Sequence, residues 1–309
     1  MASIFDRRLL VVTGKGGVGK STVAAAIGLA AARAGKRTVI CEVAEQERVT
    51  EIFGRPPAGA RETVLAPRLH AFSVDPEHAK EEWLRHQLRT GALAGLLHHS
   101  RAFQYITAAA PGLTEVLTIG KVWELAQLER RTPGQAPYDL AILDAPATGG
   151  GLALLRAPRS YAAIARMGPV GRHAGKIDAF ISDPSSTAVV AVALPEEMPV
   201  NETIDLEARL RDDLGVELTR VFVNGVLPKR FSEKEMAAID ALDGAGSPAA
   251  REALRAAVAA RSRAREQRSQ LARLRRVADA PVATLPFLLT PELGREDLER
   301  LSRGLEGKL

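Results

Sequence analysis

The sequence predicts an α/β fold, a doubly wound and mostly parallel sheet of about seven strands with helices on both faces. Three observations carry this. Short apolar runs recur along the 309 residues and alternate with longer stretches of helical periodicity, the order that βαβ units produce. Several of the runs are continuously hydrophobic, as strands covered on both faces must be. The first run, "LLVVTG", enters a glycine-rich turn and then an alanine-rich helical stretch.

In chain order, strands are predicted at 9–14, 37–43, 69–75, 138–144, 187–194, 219–225 and 281–287. Helical patterns fill the intervals at 20–34, 76–97, 113–131, 201–214, 250–277 and 292–306. The Pro- and Gly-bearing stretches 54–63 and 129–137 read as loops, not domain linkers. Trp83 and Trp123 fall in amphipathic patterns and are expected in the core. The C-terminal leucine stripe (Leu293, Leu298, Leu301, Leu305) is thin and free of aromatic residues, which predicts a docked terminal helix and not a membrane-surface one.

Composition narrows the function classes. With 46% hydrophobic and 26% charged residues the chain is an ordinary globular protein. A single cysteine, Cys41, excludes a disulfide framework and a thiolate metal cage. The first residues carry no long apolar run, so a cytoplasmic location is expected. The net charge of +5 is concentrated in Arg251–Arg276, which holds nine arginines and two acidic residues. A solvated helical face is the favoured reading, with nucleic acid or an anionic membrane as the alternative partner. His98 and His99 are adjacent on a helical pattern, point to different faces and have no acidic neighbours, so no metal site is read there.

The chemistry starts at "GKGGVGKST". Gly14 through Ser21 fits G-x-x-x-x-G-K-[ST] between an apolar strand and a helix, the context that makes a phosphate-binding loop credible. Gly14, Gly16, Gly17 and Gly19 are expected to take positive φ and bring backbone N–H groups, with those of Val18 and Thr22, toward phosphate oxygens. The helix N-terminus adds its partial positive charge. Lys20 would reach the β- and γ-phosphates, and the Ser21 hydroxyl would ligate Mg²⁺. The strand "YDLAILD" ends in Asp144, the carboxylate expected to hold the same ion. The chain is therefore read as one P-loop NTPase domain over 1–309, with a short helical insertion at about 153–187 and an arginine-rich helical segment at about 248–278.

The second lysine, Lys15, makes the loop resemble the deviant phosphate loop of the dimeric ATPases that include the arsenical-pump, tail-anchored-protein-targeting, MinD and ParA families. The resemblance implies that Lys15 reaches across a dimer interface to the partner's ATP, where it stabilises transition-state charge. Longer stretches are similar to the arsenical-pump and tail-anchored-targeting branch: "LDAPATGGGLALL" to its second switch, "AAPGLTEVLTIGKVWEL" to the segment after its third strand, "VVAVALPEEMPVNET" to its N-E-T ending, and "VFVNGVLP" and "LPFLLTPELG" to its base-binding stretches. By that resemblance Asn224 and Pro286 contact the base. Glu42 stands where the branch has the first-switch aspartate that orients the attacking water, one methylene longer. Gly150 and Ala153 replace a histidine and an arginine of the second switch.

The departures limit the function. One cysteine cannot hold arsenite, and no C-x-x-C pair is present, so no structural zinc is expected. The segment 153–187 is too short and basic, with Met167 as its one methionine, for a transmembrane-helix client groove. The expectation is an Mg-ATP-hydrolysing homodimeric switch acting on an unidentified protein client. The alternatives are a heterodimer with a paralogue in which this chain is a regulatory subunit, or a ParA/MinD-like positioning ATPase.

Overall fold

The computed structural model describes residues 3–43, 47–88, 112–129, 135–164, 169–241, 247–290 and 292–307. Its strands are β1 (Leu9–Thr13), β2 (Thr38–Val43), β3 (Thr63–Ala66), β4 (Leu69–Val74), β5 (Leu140–Asp144), β6 (Thr187–Ala193), β7 (Leu218–Val226) and β8 (Val282–Pro286). Between them, numbering the described helices in chain order, lie α1 (Lys20–Arg33), α2 (Arg48–Ile52), α3 (Pro76–Leu88), α4 (Leu113–Leu125), α5 (Thr148–Ile164), α6 (Pro169–Ser182), α7 (Glu197–Arg209), α8 (Glu233–Asp240), α9 (Pro248–Val277) and α10 (Arg295–Leu305).

The strands form one sheet in the order β3-β4-β2-β5-β1-β6-β7-β8, parallel except for the antiparallel pair β3–β4. Every strand predicted from the sequence is present. β1 lies between β5 and β6, with Val12 opposite both Asp144 and Val190. The chain leaves β1 toward one edge of the sheet and leaves β5 toward the other. That divergence leaves a crevice at the carboxyl ends of the central strands, where open α/β sheets bind ligands.

Both faces are dry. Leu9 and Val11 join Val39, Leu143 and Val189 in a core closed by α4 to α7 and by Leu271 and Leu274 of α9. Leu10 and Val12 join Ile40, Ile142 and Val190 under α1 and α10. Alternate β1 side chains thus enter opposite cores, and none faces water, which is why its sequence does not alternate. Leu298, Leu301 and Leu305 are buried, so the terminal helix is docked as expected. Trp123 is partly buried against the first core. Among the described residues no helix is long and apolar enough to cross a membrane.

The structure corrects several boundaries. β3 falls in and beyond a stretch read as loop. It has only four residues and turns into β4 through Pro67 and Arg68, the latter at φ +63°, so it is too short to show a period. α4 stops at Leu125, not 131, because Ala126 and Gln127 turn their N–H groups back onto Trp123 and Glu124 carbonyls in a tightened last turn. α7 begins at Glu197, not 201, with Pro199 in its first turn, where no N–H is needed. It ends in a five-residue π turn, Leu210–Leu214. Predicted features at His98, His99, Met167 and the far end of 76–97 lie outside the described residues, as does the side chain of Trp83.

Candidate functional site

The loop between β1 and α1 is held by backbone geometry that only glycine permits at two positions. Gly14 has φ +142°, and a Cβ there would lie 2.2 Å from the Val192 carbonyl oxygen of β6. Gly19 has φ +89°, and its Cβ would lie 2.4 Å from Asn224 Nδ2. Gly17 is also left-handed. Gly16 is not, against the sequence expectation, and its nearest neighbour to an added Cβ is that of Ala147 at 3.9 Å. Nothing among the described residues requires a glycine there. Gly19 caps α1 without a side-chain hydrogen bond, which leaves the first-turn N–H groups of Lys20, Ser21 and Thr22 directed at whatever occupies the loop.

Lys20 is partly buried and its Nζ donates to the carbonyl of Lys15 at 3.2 Å. Burial lowers its pKa, and the Asp144 carboxylate opposes that shift. Asp144 ends β5 beside β1 and is only 4% exposed. Among the described residues neither of its carboxylate oxygens meets a well-aligned hydrogen-bond partner, although the Ser21 hydroxyl lies near. Burial raises its pKa to about 6, while the nearby Ser21 hydroxyl and Lys20 pull it down. A buried carboxylate so sparsely hydrogen-bonded is costly unless a cation completes it. Ser21 and Asp144 are hard oxygen donors at the phosphate loop that could hold a divalent cation.

Glu42 sits opposite Asp144 in the β2–β5 register. It is 2% exposed, and its Oε1 accepts the Val49 N–H at 3.0 Å at the start of α2. Burial lifts its pKa to about 8, with the Val49 N–H lowering it and Asp144 raising it. In this conformation the carboxyl is protonated at neutral pH and one oxygen is taken by a helix N-terminus.

Asn224 of β7 donates through Nδ2 to the Val18 carbonyl at 3.0 Å, tying β7 to the phosphate loop. Pro286 ends β8 in register with Val226, where the Phe287 N–H donates to the Val226 carbonyl at 2.9 Å. Asn224 and Pro286 therefore share one end of the sheet. A cavity of about 380 Å³ opens beside them, lined by Leu227, Phe231, Phe287 and Leu289 and by the arginines Arg261 and Arg268 of α9. Gln267 of α9 grips the same loop, accepting from the Leu227 N–H at 2.8 Å and donating to the Gly225 carbonyl at 3.3 Å.

Lys15 does not point into its own phosphate loop. Its ammonium pairs with Glu202 of α7, and the other oxygen of Glu202 accepts from the Thr148 hydroxyl at 3.4 Å. Thr148 opens α5 and donates its N–H to the Gly14 carbonyl at 3.1 Å. Sequence reasoning assigned no role to Glu202, although it lies in the N-E-T stretch. It also missed Gly151, where a Cβ would stand 2.9 Å from Thr13 Oγ1. The signal for Gly151 was the run of three glycines after Asp144. Only the fold shows that the third packs α5 onto the end of β1.

Comparison with known proteins agrees with this geometry. The sequence model of the family described as anion-transporting ATPase matches residues 7–168 and 161–243. ATPase BagA of Mycobacterium tuberculosis is 30% identical over 236 residues, covering 74% of this chain and 68% of that protein. ATPase GET3C of Arabidopsis thaliana is 25% identical, covering 77% and 72% respectively. An arsenical pump-driving ATPase of Acidiphilium multivorum is 25% identical over 73% of this chain, which spans 40% of that relative's length. With the phosphate loop, the paired lysines and the buried Asp144 in place, the chain belongs to the anion-transporting ATPase family and is an ATP-hydrolysing enzyme.

Proposed function

We propose that the protein is an Mg-ATP-dependent dimeric switch in which Lys15 serves the nucleotide of a second, identical chain. The observation that carries this reading is the division of labour between two lysines. Lys20 stays with its own loop beside Asp144, while the Lys15 ammonium is held away from it at α7. A lysine placed outward can add positive charge where a partner's transferring phosphoryl group develops negative charge.

Within one chain the roles are as follows. Backbone N–H groups of residues 16–22 and the Lys20 ammonium would hold the phosphates. Ser21 and Asp144 would hold Mg²⁺, which when bound neutralises charge on the β- and γ-phosphates. Asn224 and the loop after Pro286 would receive the base beside the apolar wall of Phe287 and Leu289. Glu42 would orient the attacking water once its bond to the Val49 N–H opens, a change that fits a first switch responding to the γ-phosphate. Closure of two chains on ATP and reopening after hydrolysis would alter the surface offered to a protein client.

Steady-state turnover with Mg-ATP, measured against protein concentration for the unmodified chain and Lys15→Ala, tests the reading. Turnover per chain should rise with concentration, and Lys15→Ala should lose it by about 100-fold or more while still binding nucleotide. Normal turnover by Lys15→Ala would refute the trans-acting role. A second reading, docking to a polyanion, draws on the long exposed face of α9, where arginines 255, 263, 265, 268, 273, 275 and 276 face solvent or lie at its margin. Binding that falls steeply between 50 and roughly 200 mM salt would mark it.

A further inference from the structure

We infer that Glu202 is a positioning residue that holds Lys15 in its own subunit, so that the trans-acting lysine must be released before two chains can close. The inference rests on the dimeric reading above and deepens it. Three contacts support it. The Lys15 ammonium is paired with one oxygen of Glu202. The second oxygen of Glu202 accepts from Thr148, the first residue after the loop that follows Asp144. The backbone of Thr148 is in turn bonded to Gly14, at the start of the phosphate loop. One carboxylate thus joins the phosphate loop, the loop after β5 and α7, which are the elements a bound γ-phosphate would touch or move.

The backbone of Lys15 is engaged as well, since its carbonyl accepts from Lys20 Nζ. When Lys20 turns to phosphate oxygens, that bond is lost and the loop around Lys15 is freed at its main chain. The Glu202 pair is then what still retains the side chain. The two side chains are 30% and 34% exposed, so the pair is a weak latch worth about a two- to fivefold bias. Weakness suits the role, because a deeply buried pair would block closure outright. Two such latches open per dimer, so the effect on dimer association is about four- to twenty-fivefold.

The test uses the full-length chain with Glu202→Gln, which keeps the shape and the acceptor for Thr148 but removes the charge. Sedimentation with a slowly hydrolysed ATP analogue and Mg²⁺ should show dimers forming at about four- to twenty-fivefold lower protein concentration than for the unmodified chain. ATP turnover should reach its half-maximum at a correspondingly lower protein concentration, with little change at saturation. Glu202→Asp should fall between the two. An unchanged concentration dependence would overturn the latch. So would reduced turnover at saturating protein, because Glu202 would then serve the closed state. Lys15→Ala run in parallel separates the two ideas. If it loses turnover while Glu202→Gln shifts nothing, the latch fails and the trans-lysine reading stands. If Lys15→Ala keeps full turnover, both fall.

Discussion

Replacing Glu42 by glutamine should stabilise the nucleotide-free protein at high pH and leave it unchanged in acid. The carboxyl is buried between strands, accepts backbone N–H groups at the start of α2, and faces Asp144 in the neighbouring strand. Its pKa rises from 4.5 to about 8, chiefly because burial disfavours the charged form. A folded-state pKa above the unfolded one means that the native chain holds the proton more tightly. The stabilisation from this group is therefore complete below pH 4.5 and is lost as pH rises through 8. At about 1.4 kcal/mol per tenfold change, the loss is about 3 kcal/mol by pH 7 and about 5 kcal/mol above pH 8. Glutamine can still accept the Val49 N–H and never ionises. Urea unfolding of both proteins without nucleotide or Mg²⁺, at pH 4.5, 6, 7 and 8.5, gives the difference curve. Asp144 titrates in both proteins and largely cancels. The variant should match the unmodified chain at pH 4.5 and exceed it by several kcal/mol at pH 8.5. A difference that is flat with pH, or a variant that is less stable at pH 8.5, would refute the argument that Glu42 is held neutral by burial.

Further outcomes follow from the same geometry. Asp144→Asn removes a buried carboxylate whose pKa of about 6 already marks it as strained when ionised. The variant should be more stable than the unmodified chain by up to about 3 kcal/mol at pH 8 without Mg²⁺, yet lose Mg²⁺-dependent ATP turnover. Calorimetric unfolding and a turnover assay on the same sample check both halves. Gly14→Ala should be severe, because φ +142° and a Cβ 2.2 Å from the Val192 carbonyl oxygen cannot both be relieved without moving β1 from β6. A loss of about 3 kcal/mol or more in denaturant unfolding is expected. Gly16→Ala, with open space and ordinary φ, should cost less than about 1 kcal/mol in the same measurement.

The amino-acid order by itself determined the layered α/β class, all seven long strands and the phosphate loop. These rest on local rules: continuous apolar runs for strands buried on both faces, and the need for glycine and lysine where backbone N–H groups meet phosphate. Asp144 was legible for the same reason, as an acid ending an apolar strand. β3 was not, since four residues carry no period and the strand exists only because β4 offers its edge. The early starting point of α7 depended on Pro199 standing in the first turn, and the end of α4 on carbonyls that tighten its last turn. Only the tertiary structure decided the states of the charged groups. The sequence offers Glu42 as a carboxylate, and the parallel register that sets it against Asp144 in a dry interior makes it an acid that keeps its proton. It offers Lys15 as a free cation, and the packing of α7 against the phosphate loop, 187 residues away in sequence, gives it Glu202 as a partner. Burial and long-range pairing set protonation and direction, and neither is written in the spacing of residues along the chain.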